Sequence, residues 1–60
     1  MFQLIRSYIY EDGKVYTQTE PYTDLARALH AASVYVDDPT LCAISIIDRA
    51  HDIEVLGWVP

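Results

Sequence analysis

The densest chemistry in the sequence lies in D-R-A-H-D-I-E, where Asp48, His51, Asp52 and Glu54 crowd one short segment. Carboxylates with an imidazole are donors that divalent cations accept. The spacing matches no metal motif, so the expectation is a solvated hairpin turn with no metal and no cofactor. A second reading makes the cluster a negative patch that meets a basic partner. Cys42 with His30 or His51 would supply a nucleophile and a base. No third group is spaced to orient that base. Cys42 stands among Leu41, Ala43 and Ile44, where a small buried side chain is the ordinary outcome. His30 reads as a half-buried packing residue and His51 as an exposed turn residue. With only Gly13 and Gly57, the chain has no glycine-rich phosphate loop. These residues point away from an enzyme.

Composition narrows the field further. Sixty residues and 6.8 kDa allow one domain, 1–60. Four Lys and Arg against nine Asp and Glu leave a formal charge of −5. Such a chain is not expected to bind nucleic acid directly, because that affinity comes from Lys and Arg opposite phosphates. One cysteine forms no internal bridge and suits a reducing cytoplasm. At 52% hydrophobic and 22% charged, the sequence is not that of a disordered chain. A deep catalytic cleft is not expected either, since a domain this short buries only about 60% of its unfolded surface. No apolar stretch approaches the roughly 20 residues that cross a bilayer. The opening MFQLIRSYIYEDGK reads as the start of a complete intracellular chain rather than a leader.

Five elements must position these residues. Phe2 to Tyr10 is aromatic and β-branched, and reads as a strand. Asp12-Gly13 predicts a two-residue type I′ hairpin turn, with Glu11 facing Lys14 and Tyr10 facing Val15. Val15 to Glu20 is a second, polar strand that Pro21 ends. Thr23 is expected to cap a helix and Asp24 to complement its dipole. Leu25, Ala28, Leu29, Ala32 and Val36 form its apolar stripe, and Asp37-Asp38-Pro39 stops it. Leu41 to Asp48 is a third strand, Arg49 to Asp52 a turn and Ile53 to Val59 a fourth strand. The predicted fold is α+β, in the order β-β-α-β-β. Its antiparallel sheet is ordered 2-1-3-4, with the helix on one face.

Alternation then predicts a surplus of apolar surface. Phe2, Leu4, Tyr8 and Tyr10 fall on one face of the first strand, Ile5 and Ile9 on the other. Cys42, Ile44 and Ile46 oppose Leu41, Ala43 and Ile47 on the third. Leu56 and Trp58 oppose Ile53, Val55 and Val59 on the fourth. One helix covers one face only. Five tyrosines, Trp58 and Phe2 add ring surface of the kind enriched at interfaces. The competing reading makes those rings core filler with wet polar tips. Glu11, Asp12, Asp37, Asp38, Asp48, Asp52 and Glu54 all fall at loops or strand ends. They are laid out to imitate phosphates or, more simply, to keep the chain soluble.

The stretch TEPYTDLARALHAASVYVDDPTLCAISIID sets a strand, a Thr-Asp-opened alanine-rich helix, a proline loop and an apolar strand in series. In this plan the chain resembles small acidic phage-encoded inhibitors, namely the anti-CRISPR proteins and the T7-type inhibitor of bacterial RNA polymerase. The resemblance spans about half the chain, is architectural, and carries over no functional residue. It implies a stoichiometric, non-enzymatic blocker of a larger host protein or nucleoprotein complex, acting in the bacterial cytoplasm without membrane attachment. The expected contact joins Tyr8, Tyr10, Tyr16 and Trp58 to an acidic rim of Glu11, Asp12, Asp48, Asp52 and Glu54. The alternatives are an obligate homo-oligomer packed through its apolar sheet face, and a small metal- or ligand-binding protein centred on His51.

Overall fold

Alternation in the first strand sends Phe2, Leu4, Arg6 and Tyr8 to one face, and that face becomes the interior. A computed structural model describes all residues, Met1–Pro60. The elements are β1 (Phe2–Ile9), β2 (Val15–Tyr22), α1 (Leu25–Tyr35), β3 (Leu41–Asp48) and β4 (Ile53–Trp58). They build one antiparallel sheet ordered β2-β1-β3-β4, with α1 across one face. This is the α+β plan and strand order expected from the sequence. The core is Leu4, Tyr8, Ala28, Ala32, Leu41, Ile44 and Ile46. No helix is long and apolar enough to cross a membrane.

The first hairpin turns by a different device from the one expected. The amide of Gly13 donates to the Tyr10 carbonyl at 2.9 Å, and the amide of Tyr10 donates to the Lys14 carbonyl at 3.2 Å. Only Gly13 takes a positive φ in this turn, 79°. The loop therefore holds Glu11, Asp12 and Gly13, a type I turn followed by a glycine bulge. Asp12 favours it by accepting the Lys14 amide at 2.9 Å. Ile9 then faces Val15 and Tyr8 faces Tyr16, one residue out of the expected register, and Glu11 no longer faces Lys14. A one-residue slip moves every side chain of a strand to the other face.

Pro21 does not end β2 but lies within it, opposite Gln3. Antiparallel pairs alternate between bonded and non-bonded. Counting from the bonded Tyr10–Lys14 pair, Pro21 falls in a non-bonded pair. Its missing N–H faces the open edge, where proline is tolerated.

Two β-bulges change which residues share a face. Ser7 pairs with Ala43 and Tyr8 with Leu41, so Cys42 is the extra residue and Leu41 turns into the core. Ile46 pairs with Leu56 and Ile47 with Glu54, so Val55 is extra. Directly opposed residues share a face. The outer face of β4 thus presents Glu54 and Gly57; of the expected row, Ile53 turns to the helix side opposite Asp48, Val55 is the bulged residue, and Val59 stays on the outer face beside Gly57. Across the rest of that face Ile5, Ile9 and Ile47 alternate with Gln3, Ser7, Thr17, Thr19 and Ser45. The outer face is mixed rather than uniformly apolar, and a surplus remains in the exposed Ile9, Val15, Val55 and Val59.

In α1, Ala28 and Ala32 are buried and let the helix backbone approach the sheet. Asp24, not Thr23, is the N-cap, its carboxylate accepting the Ala26 amide at 2.8 Å. Asp24→Ala is expected to lose about 1 kcal/mol. A lower urea midpoint with unchanged slope is the check. The helix lies over β1, β3 and β2, and its backbone keeps away from β4, whose Leu56 and Trp58 reach the edge of the core from one side.

Candidate functional site

A charged cluster that the sequence reading missed lies beneath the helix. Arg6 projects from β1 toward α1, where an alternating apolar strand would carry a hydrophobe. Its Nη1 donates to the Tyr8 hydroxyl at 3.0 Å and its Nη2 to Gln18 Oε1 at 2.8 Å. Nη2 also pairs with the Glu20 carboxylate. The guanidinium sits 4.0 Å from the centroid of the Tyr35 ring. Nε, sealed from solvent, has no partner. Glu20 in turn accepts from the Tyr35 hydroxyl at 2.7 Å and the Tyr22 hydroxyl at 3.1 Å. The Tyr35 hydrogen bond, with those from Tyr22 and Arg6, holds the Glu20 carboxyl below the usual range against the opposing pull of burial. The bond to Glu20 raises Tyr35, whereas Tyr22 is raised first by burial and then by Glu20. Burial alone would lower Arg6, but Tyr8 and Glu20 outweigh it and the net shift is upward. Three of the Arg6 contacts and both tyrosine hydroxyls on Glu20 are internal, so the cluster ties α1 to the edge strand β2.

The nine residues expected to form one contact are divided by the fold. Five gather at the β1–β2 hairpin. Tyr8 and Tyr10 stack with centroids 6.4 Å apart, and Tyr10 meets Tyr16 at 4.9 Å. Tyr16 reaches Asp12 at 3.4 Å, and Glu11 lies in the same turn. Tyr8 itself is core, only 7% exposed, and offers a partner little. Tyr10 and Tyr16 are 48% and 45% exposed, joined by Ile9 and Val15 on the opposite side of the hairpin. Trp58 is half-buried on the helix side of β4, opposite Ile44.

Asp48, Asp52 and Glu54 lie at the far end of a molecule 36 Å long. There Asp48 pairs with Phe2, whereas the hairpin tip follows Ile9. Asp48 is occupied in its turn. Oδ1 accepts the Ala50 amide at 3.0 Å and Oδ2 meets His51 Nδ1 at 2.8 Å. The His51 contact is the main reason its carboxyl is shifted down. Asp52 holds a left-handed backbone, φ 54°. No three His, Cys, Asp or Glu side chains converge to hold a metal. Cys42, the bulged residue, is half-buried, and His51 stands at the opposite end of β3 from it.

The pole that remains is acidic. The loop after α1 returns beside the hairpin, where the Ile9 amide donates to the Thr40 carbonyl at 2.9 Å. Asp38, bonded to Thr40, is thereby drawn toward Glu11 and Asp12, which share a hollow with Thr40, and Lys14 is the one countercharge in those two loops. Asp38 accepts both the amide and the hydroxyl of Thr40, and these bonds shift its carboxyl down. An open hollow of about 510 Å³ lies among Ile9, Tyr10, Glu11, Asp12 and Thr40. Asp37 and Asp38 follow the C-terminus of α1, whose last turn holds no basic residue. Acids at the negative end of a helix dipole are locally unfavourable.

Compared with known protein families, with curated proteins and with solved structures, the chain matches none.

Proposed function

We propose that this chain is a non-enzymatic, acidic protein-binding module of the inhibitor type that phages and mobile elements direct at larger host proteins or nucleoprotein complexes. It binds stoichiometrically through the hairpin pole. One observation carries the reading: Tyr10 and Tyr16 stand half-exposed and in mutual contact, with Glu11 and Asp12 in the turn between them and Asp38 bonded to Thr40 across the adjoining hollow. Rings supply area that a partner buries, and tyrosine orders little on binding. The acids steer approach to a basic surface and reject acidic ones. Asp12 and Asp38 hold their own turns, but Asp37 stands at the negative end of the helix dipole with no hydrogen bond to its side chain, a breach of a local rule without a folding gain. The far cluster of Asp48, Asp52 and Glu54 is outside this contact.

The test is capture from bacterial lysate on immobilised chain, with mass spectrometry of what binds. Tyr10→Ala and Tyr16→Ala should retain the native far-ultraviolet spectrum. Each should weaken the captured complex by about tenfold or more. Asp52→Asn should leave it unchanged. Full-strength capture by both folded tyrosine variants would remove the hairpin pole from the mechanism.

A further inference from the structure

The helix layer of this fold is incomplete. Strands lie about 4.8 Å apart, so β4 stands roughly 10 Å from β1. That is the spacing of two helices packed side by side on one sheet. Helix α1 lies over β1 with its neighbours β2 and β3, and leaves β4 without a lid. The space so formed is an apolar groove of about 240 Å³. Its wall is Leu29, Ala32 and Val36, spaced i, i+3 and i+7 along α1. Its floor is Ile44, Leu56 and Trp58. Leu29 is 41% exposed, although it belongs to the apolar stripe of the helix.

We infer that the groove above β4 receives an amphipathic α-helix from a basic partner protein. Width, length and polarity all fit a helix: one open lane beside α1, walled along two turns, with Ser33 the single polar lining residue. Charge sets the sign of the partner. The chain carries −5, and the groove ends at Val36, where Asp37 and Asp38 begin. A guest helix antiparallel to α1 brings the positive end of its dipole to those carboxylates, and basic residues in its outer turns meet them as well. A second copy is a poor guest. Its α1 would have to bury the outward side of that helix, which carries the exposed Arg27, His30 and Ser33.

This inference deepens the proposed function by naming what a partner inserts, and rests on it only in taking the guest to be protein. The two surfaces meet at Asp37 and Asp38 but share no lining residue, so variants of the linings separate their tests. The probe is a synthetic peptide of about 14 residues, long enough for four turns, built from leucine and lysine with leucines at i, i+3, i+4 and i+7. Trp58, the sole tryptophan, reports from the floor of the groove by its emission. The expected result on the full chain is a saturable blue shift at one peptide per chain. Leu29→Glu, on the half-exposed wall, should keep the circular dichroism spectrum and weaken binding by about tenfold or more. Replacing lysine by glutamate in the peptide should do the same, while Tyr10→Ala should leave peptide binding intact. Absence of a Trp58 response, or binding indifferent to Leu29→Glu, overturns the inference. A Trp58 shift that follows chain concentration without peptide also overturns it, in favour of a second copy.

Discussion

Leu4→Ala is expected to leave most of the chain unfolded at 25 °C. Leu4 is wholly inaccessible, at the centre of β1, with β2 and β3 on either side and α1 above. Truncating such a residue removes about 2–5 kcal/mol, because the lost transfer energy adds to a cavity that the neighbours only partly fill. A domain of this length holds about 3–9 kcal/mol in total. The core has seven members, and two are alanines, so no reserve of packing absorbs the loss. Urea titration followed by circular dichroism measures it. A fall of less than about 1 kcal/mol would mean that the layer under α1 is not the unit that holds the fold.

The second large effect concerns Glu20. Glu20→Ala strips the Arg6 guanidinium of its ion pair and leaves the Tyr35 and Tyr22 hydroxyls without an acceptor. Breaking a fully buried pair removes about 3–5 kcal/mol. The Glu20 side chain is 32% exposed, so the expected loss is smaller, about 1–3 kcal/mol. The pH dependence has a definite sign. The folded Glu20 carboxyl is shifted below its ordinary value of 4.5. Its stabilisation is therefore present above about pH 4.5 and disappears as pH falls through the lower, folded value. The gap between the native chain and Glu20→Gln should accordingly be open at pH 7 and close in acid. Subtraction removes the contributions of Asp38 and Asp48, which are shifted the same way. A gap equally wide at both pH values would show that Glu20 acts by packing alone. The double variant Arg6→Met with Glu20→Leu should recover most of the loss, because an apolar pair needs no acceptor.

The order of elements was legible because each carries its own local signal. Phe2 to Ile9 alternates, the four alanines of Leu25–Tyr35 favour helix, and the polar β2 belongs at an edge. The register was not legible, and the Asp12-Gly13 turn shows why. The same dipeptide serves a two-residue turn and a three-residue turn with a glycine bulge, and the two differ by one residue in pairing. That single step hid the charged cluster. With Tyr10 opposite Val15, Arg6 and Glu20 would lie on opposite faces. With Tyr10 opposite Lys14, they are diagonal neighbours on the same face. The signal was present in the alternation of Phe2, Leu4, Arg6 and Tyr8, where one charged residue interrupts an inward row. The bulges at Cys42 and Val55 left no trace of composition, since an unpaired residue in a strand can be of any type. They account for part of the overestimate of the apolar outer face, while Tyr8 is core because it shares the helix-covered face with Leu4, and the sequence does not say which face the helix takes. The acidic rim was read as one patch because the sequence does not say which loops share an end of the sheet. Thr40 answering Ile9 across that end draws Asp38 toward Glu11 and Asp12, and leaves Asp48, Asp52 and Glu54 behind.

The place of β1 in the sheet bears on how the molecule comes into being. The first strand in chain order is interior, and one of its neighbours ends at Asp48, paired opposite Phe2. The β1–β2 hairpin closes over a short loop and forms locally. The other flank waits for β3, which begins only at Leu41. Until then the nascent hairpin shows a bare row of amides and carbonyls to its surroundings. Such distant pairing slows folding toward the millisecond-to-second range, so maturation of this small chain is governed by the arrival of its third strand.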